Sequence, residues 1–176
     1  MQMHESRTGE NVRKALSQEL ELSSLYRLYA KKAKAEGYLQ IADLLQSTAN
    51  NELEHAGLLF EIRHQCQIPT TQENLDDAVQ REKAAPYKQF ADEAEKDGFP
   101  GTAELFRQLS AVEENHARRF TILSENLRTG DVFRKQQECY WVCRICGGLQ
   151  YGKYAPHVCP VCGFPQSCFS LYTEDY

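Results

Sequence analysis

Shifting the chain against itself by 61 positions lays YAKKAKAEGYLQIADLLQSTANNELEHAGLL (29–59) on FADEAEKDGFPGTAELFRQLSAVEENHARRF (90–120). Gly37 falls on Gly98, Ala42 on Ala103, Glu52 on Glu113 and His55 on His116. Each copy reads as helix, glycine stop, helix, so the chain is built from two hairpins of one design that together make a four-helix bundle. The expected helices run over 10–36, 38–65, 75–97 and from about 100 to 128, with CQIPTTQEN (66–74) as the crossover between hairpins. Pro86 lies inside the third helix and predicts a kink or an irregular turn there.

The repeat carries chemistry on its apolar face. In the second helix Ile41, Leu45, Thr48, Leu59 and Ile62 follow three- and four-residue steps, and Glu52 and His55 stand in the same series. The fourth helix repeats the pattern as Phe106, Leu109, Glu113, His116, Phe120 and Leu123. Residues three apart on a helix lie ~60° apart around the axis and ~4.5 Å along it, so a Glu and a His at this spacing can reach one ion. A single such pair is commonly a surface pair or a satisfied core histidine. Two copies on the core stripes of repeated helices point to a metal, because isolated buried carboxylates are costly.

A bundle with Glu-x-x-His on two helices builds a di-metal carboxylate site when each of the other two supplies a Glu. The first helix offers Glu19, on a stripe with Leu16, Ser23, Tyr26, Ala30 and Ala33, while Glu21 points to solvent. The third helix offers Glu82, two positions from Gln80, which the repeat sets opposite Glu19. Asp76 and Asp77, one turn earlier, are the substitutes. Tyr26 and Tyr87 also pair under the repeat, either as core tyrosines or as hydroxyls bonded to metal-bound carboxylates. Carboxylate and imidazole donors suit iron or manganese.

The last part of the chain is different. After TGDVFRKQQE, residues 139–176 are rich in Cys, Gly, Pro and aromatics and lack a helical period. Cys143-x-x-Cys146-Gly and Cys159-x-x-Cys162-Gly form two knuckles, a pattern for a tetrahedral four-sulfur site holding iron or zinc. So short a module needs such a staple. Cys66, Cys139 and Cys168 fall outside the pattern and read as free thiols. The net charge of −5, with no basic block, argues against nucleic acid and against a membrane surface. No apolar run is long enough to span a bilayer, and MQMHESRTGENVRK lacks a signal-peptide core, so a cytoplasmic setting is expected.

Taken together, paired Glu-x-x-His in a helical bundle followed by CxxCG–x11–CPxCG resembles the rubrerythrins. The resemblance covers essentially the whole chain and is carried by EGYLQIADLL, NNELEHAGLLF, GTAELFRQLSAVEENHARRF and YWVCRICG with APHVCPVCG. It implies a ferritin-like di-iron domain over 1–128, a linker over 129–138 and a rubredoxin-like Fe(Cys)4 domain over 139–176. It further implies homodimers that reduce hydrogen peroxide to water as an oxidative-stress defence. Electrons would come from an NAD(P)H-dependent rubredoxin or rubrerythrin reductase, or from rubredoxin. On the resemblance Glu19, Glu52, His55, Glu113 and His116 are di-iron ligands, and Cys143, Cys146, Cys159 and Cys162 hold the second iron centre; Glu82, read from its place on the third helix, is the expected sixth di-iron ligand. Rubrerythrins usually carry two glutamates three apart on the third helix, one of which exchanges with a histidine. This chain has only Glu82, which places that exchange in question. The competing readings are an iron-oxidising or iron-handling protein and a non-catalytic electron carrier.

Overall fold

The computed structural model describes residues 5–174. Residues 1–4 and 175–176, where the outermost expected domain bounds fall, lie outside the described residues. The chain divides into two compact units, Met1–Pro69 and Thr70–Tyr176.

The first unit is a helical hairpin, α1 (Arg7–Ala35) and α2 (Leu39–Arg63). Ser6 caps α1 by accepting a hydrogen bond from the Gly9 N–H at 3.0 Å. α1 ends at Gly37, whose φ of +86° lets the Tyr38 N–H reach back to the Ala33 carbonyl at 2.9 Å. The buried seam recurs at seven-residue steps and is made mostly of small residues: Gly9, Ser23 and Ala30, with the larger Leu16, on α1, and Ala42, Ala49 and Ala56 on α2. Small side chains let two helix axes approach closely, and Ser23 Oγ donates across the seam to the Ala49 carbonyl at 2.8 Å. The larger apolar stripe expected to face the core lies beside this seam. Ile41 and Ile62 remain 53% and 42% exposed within the hairpin.

The second unit begins with α3 (Thr71–Lys83), α4 (Tyr87–Lys96) and α5 (Pro100–Thr129). A capping box opens α3: Thr70 Oγ1 accepts from the Glu73 N–H, and the Glu73 carboxylate accepts from the Thr70 N–H at 2.8 Å. The expected third helix is thus two helices. Pro86 has no N–H to continue the ladder and disfavours helical geometry at Ala85, so the chain breaks over 84–86. The break changes the register of the repeat. Downstream, buried Ala91 and Ala94 match buried Ala30 and Ala33 at the 61-residue shift. Upstream, buried Val79 matches buried Leu16 at 63 residues. Gly98, with φ +81°, repeats the Gly37 turn, and the Phe99 N–H bonds the Ala94 carbonyl at 2.8 Å. α3 is tied to α5 through buried Ser124, whose hydroxyl donates to Asp76 Oδ1 at 2.5 Å and accepts from Gln72 at 2.6 Å.

Beyond α5 the chain forms a three-stranded antiparallel sheet, β1 (Arg134–Cys143), β2 (Leu149–Tyr154) and β3 (Phe169–Leu171), in the order β2-β1-β3. β1 starts inside the stretch read as a linker. Trp141, Cys143, Ala155, Cys159 and Phe169 make the small core, and the Trp141 indole N–H donates to the Gly152 carbonyl at 3.0 Å. Among the described residues no helix is long and apolar enough to cross a membrane.

Replacing Thr70 with alanine removes one arm of the capping box and is expected to cost about 1 kcal/mol. Denaturant unfolding followed by helical circular dichroism measures this, and an unchanged midpoint overturns it.

Candidate metal centres

The flank of the first hairpin holds a triad. Glu19 on α1 and Glu52 and His55 on α2 each bring one donor atom within 4.8 Å of the others. His55 Nδ1 lies 2.9 Å from Glu52 Oε2 and 3.6 Å from Glu19 Oε2. The two carboxylates are largely covered, at 22% and 17% side-chain exposure. Glu19 Oε2 is sealed from solvent and has no hydrogen-bond partner among the described residues. A buried carboxylate oxygen left without a donor is costly, and a cation at this point would satisfy it. The donor set therefore fits a metal. Glu21 is exposed, as expected.

The second unit repeats the arrangement. Glu82, Glu113 and His116 form a triad within the same 4.8 Å limit. His116 Nδ1 lies 2.9 Å from Glu113 Oε2 and 3.7 Å from Glu82 Oε2. These distances match those of the first triad within 0.1 Å. Glu82 thus occupies the place that Glu19 has in the first hairpin, 63 residues on, because the break at Pro86 restores the face. Two acids this close compete for a proton. A hydrogen bond with Glu113, together with burial, pushes the Glu82 carboxyl above its usual range, while the bond from Glu82, with His116 beside it, lowers Glu113. A divalent cation would relieve that competition.

The substitutes weighed for Glu82 are engaged elsewhere. Asp76 is bound to Ser124, which together with Gln72 and Arg128 holds its carboxyl below the ordinary value. Asp77 pairs with Arg81 at 2.6 Å. Tyr26 and Tyr87 are half-buried at matching places in the two hairpins. Tyr87 stacks on Phe106 with ring centroids 5.9 Å apart, and Tyr26 lies 6.2 Å from Tyr29.

In the sheet module Cys143, Cys146, Cys159 and Cys162 converge. Cys143 and Cys162 Sγ are 3.7 Å apart, as are Cys146 and Cys159 Sγ. A tetrahedral ion with metal–sulfur bonds of about 2.3 Å has sulfur–sulfur edges of about 3.8 Å, so the cage already has the dimensions of its guest. The two knuckles are copies of each other. Gly147 and Gly163 share a φ of +74°, and their N–H groups bond the Cys143 and Cys159 carbonyls at 2.8 and 2.9 Å. The thiols are unequal. The Cys162 N–H, donating to Cys159 Sγ, helps bring that thiol down to about 7. Cys162 receives the Phe164 N–H, which lowers it, yet burial and the neighbouring sulfurs push it up to about 12. Four sulfurs in one cage cannot all ionise without a cation among them. Cys66, Cys139 and Cys168 are free thiols outside the cage.

Comparison with known proteins gives the same assignment. The rubrerythrin family model matches residues 10–72 and 73–142, and the model of the rubrerythrin rubredoxin-like domain matches 141–170. Rubrerythrin-1 of Clostridium acetobutylicum is 35% identical over 97% of this chain and 97% of its own. The Clostridium perfringens rubrerythrin is 34% identical over the same shares. The rubrerythrin of Porphyromonas gingivalis is 36% identical over 97% of this chain and 92% of its own. With its paired carboxylate–histidine triads, four-cysteine cage and full-length likeness to these relatives, the chain belongs to the rubrerythrin family, with a ferritin-like di-iron domain and a rubredoxin-like iron domain.

Proposed function

We propose that the protein is a peroxide reductase, taking electrons in at the rubredoxin-like centre and delivering them to hydrogen peroxide at the di-iron centre. The observation that carries this reading is the presence, in one chain, of a four-sulfur redox cage and two matched carboxylate–histidine triads. Glu19, Glu52, His55, Glu82, Glu113 and His116 would make the di-iron ligand set. Cys143, Cys146, Cys159 and Cys162 hold the single iron. Iron in the paired site supplies two one-electron changes, the number that cleavage of an O–O bond needs.

The residues of the chain do the rest. Four carboxylates would balance the charge of two divalent ions. Hydrogen peroxide takes up two electrons and two protons to give two waters. Tyr26, two turns beyond Glu19, and Tyr87, just past the break that follows Glu82, are half-buried hydroxyls that could pass those protons. Electrons reach the cysteine cage from a soluble reductase of the NAD(P)H-dependent kind or from rubredoxin, in a cytoplasmic homodimer. This role belongs to oxidative-stress defence.

A second reading, ferroxidase or iron handling, is favoured by one feature. α3 brings a single carboxylate, Glu82, into its triad, and the position one turn before it is Val79, buried at 7% exposure. The set is then the minimal one of four carboxylates and two histidines, without a spare glutamate to exchange with a histidine. The four-sulfur cage argues the other way, since oxidation of ferrous iron needs no incoming electrons.

Anaerobic stopped-flow on the fully reduced protein separates the two. Peroxide is expected to reoxidise the di-iron site far faster than oxygen does, and comparable rates, or faster turnover of added ferrous iron, overturn the peroxidase assignment. Glu82→Ala is expected to lower bound iron by about one ion per chain while the red colour of the cysteine centre persists. Asp76→Asn should leave iron content unchanged. Equal iron in wild type and the Glu82 variant removes Glu82 from the ligand set.

A further inference from the structure

The second hairpin has a gap where the first has a closed seam. In the first, Ser23 of α1 and Ala49 of α2 close the middle of the packed interface. They are only 4% and 0% exposed, and the Ser23 hydroxyl donates to the Ala49 carbonyl. The repeat sets Ser110 of α5 at the place of Ala49. The place of Ser23 falls on Ala84 at the downstream register of 61 residues and on Pro86 at the upstream register of 63. Both of these lie exposed in the break between α3 and α4. The flanking seam positions keep their cover, since Ala103 and Ala117 are buried just as Ala42 and Ala56 are. Of the three seam positions on α5, Ser110 is the one left half-buried.

A cavity of about 360 Å³ stands where the missing seam residue would be. Ala85 lines it from the break and Ser110 from α5, and Glu82 and Glu113 form part of its wall. Successive residues of a helix are turned by about 100°. On α5 the lining residues Ser110, Glu114, Ala117 and Arg118 therefore lie to one side of Glu113, and the stripe residues His116, Phe120 and Leu123 to the other. The cavity reaches the carboxylates from the flank that faces away from the apolar stripe.

We infer that this cavity is the port by which hydrogen peroxide reaches the metal-binding carboxylates, entering at the α3–α4 break on the side of the second triad. The inference rests on the peroxidase reading and specifies its route of entry. Size allows it: a water molecule occupies about 30 Å³ of liquid, so the cavity has room for several molecules of that size or for peroxide, which is little larger. Polarity favours it. Along the stripe a small hydrogen-bonding molecule meets Phe120 and Leu123 and loses its partners, whereas the cavity presents the Ser110 hydroxyl and the carboxylates themselves. Exposed Lys83, Lys88 and Arg118 also line it. Lys88 Nζ reaches from α4 to Glu114 Oε1 on α5 at 2.7 Å, with side chains 80% and 64% exposed. So exposed an ion pair is held loosely, and the mouth opens without unpacking a core. The matching place in the first hairpin is shut by Ala49, which has no exposed surface.

The test uses the full-length protein with its iron sites filled and oxidised, and azide as the probe, read by its charge-transfer absorption on ferric iron. Ala85→Trp fills the cavity from the break, and Ser110→Leu fills it from α5. A port lies on the path and not in the bound state, so plugging it slows entry and exit by one factor and leaves affinity alone. The on-rate and off-rate of azide should each fall at least about tenfold in either variant, with Kd and iron content as in wild type. Reoxidation of the reduced protein by peroxide should slow by a similar factor. Unchanged azide rates in a variant that folds and holds its full iron overturn the port. Unequal shifts of the two rates overturn it as well, because a changed affinity marks a disturbed site and not a blocked path. So does a filled wild-type site that gives no azide band. The peroxidase reading fails separately, when azide enters wild-type protein readily and the plugs slow it, yet peroxide does not reoxidise the reduced site.

Discussion

Carboxylates crowded around an imidazole on the flank of a helical hairpin are a poor arrangement in the absence of a cation. Their charges repel, their hydration is partly lost, and one oxygen of Glu19 has no hydrogen-bond donor among the described residues. The hairpins are organised so that this expense is met twice with the same geometry. The alanine seams fix the distance between helices, the glycine turns fix their phase, and the glutamates and histidines then fall where they do because everything beneath them is rigid. Metal binding is the term that turns this local cost into stability.

The two iron centres solve the problem on different scales. The cysteine cage is closed by about thirty residues of one sheet module, and its sulfurs stand at tetrahedral spacing within one unit. Two members of the cage, Cys143 and Cys159, are also core residues of the module, so fold and cage are the same object. The triads instead sit on long helices whose packing seams are complete without them. They are attached to the fold rather than part of its core, and this leaves them free to be shared between elements distant in sequence.

Much of this was legible in the amino-acid sequence, for identifiable reasons. CxxCG pairs are local, and their geometry is dictated within a handful of residues. Glu-x-x-His is local too, and its repetition made Glu52, His55, Glu113 and His116 readable as one design. The seam was harder. Hydropathy draws attention to Ile41, Leu45 and Leu59, whereas the tightest contact uses Ala42, Ala49 and Ala56, whose small size matters more than their apolarity. Glu82 reads as the third helix's ligand against the repeat, which sets Gln80 opposite Glu19, and its place depends on how a helix breaks at a proline. Asp76 and Asp77 are separated from it only by partners on α3 and α5.

That proline has a wider meaning. Between Glu19 and Tyr26 lie two full turns of unbroken helix, whereas Glu82 and Tyr87 are only five residues apart. In a continuous helix the difference of two residues would rotate the glutamate by about 200°, onto the opposite face. The interruption at 84–86 absorbs that rotation as a joint absorbs misalignment between two shafts. A third helix jointed in this way can gain or lose residues without turning its glutamate from the site. The length of that helix is therefore a freer evolutionary variable than the lengths of the three that have no joint.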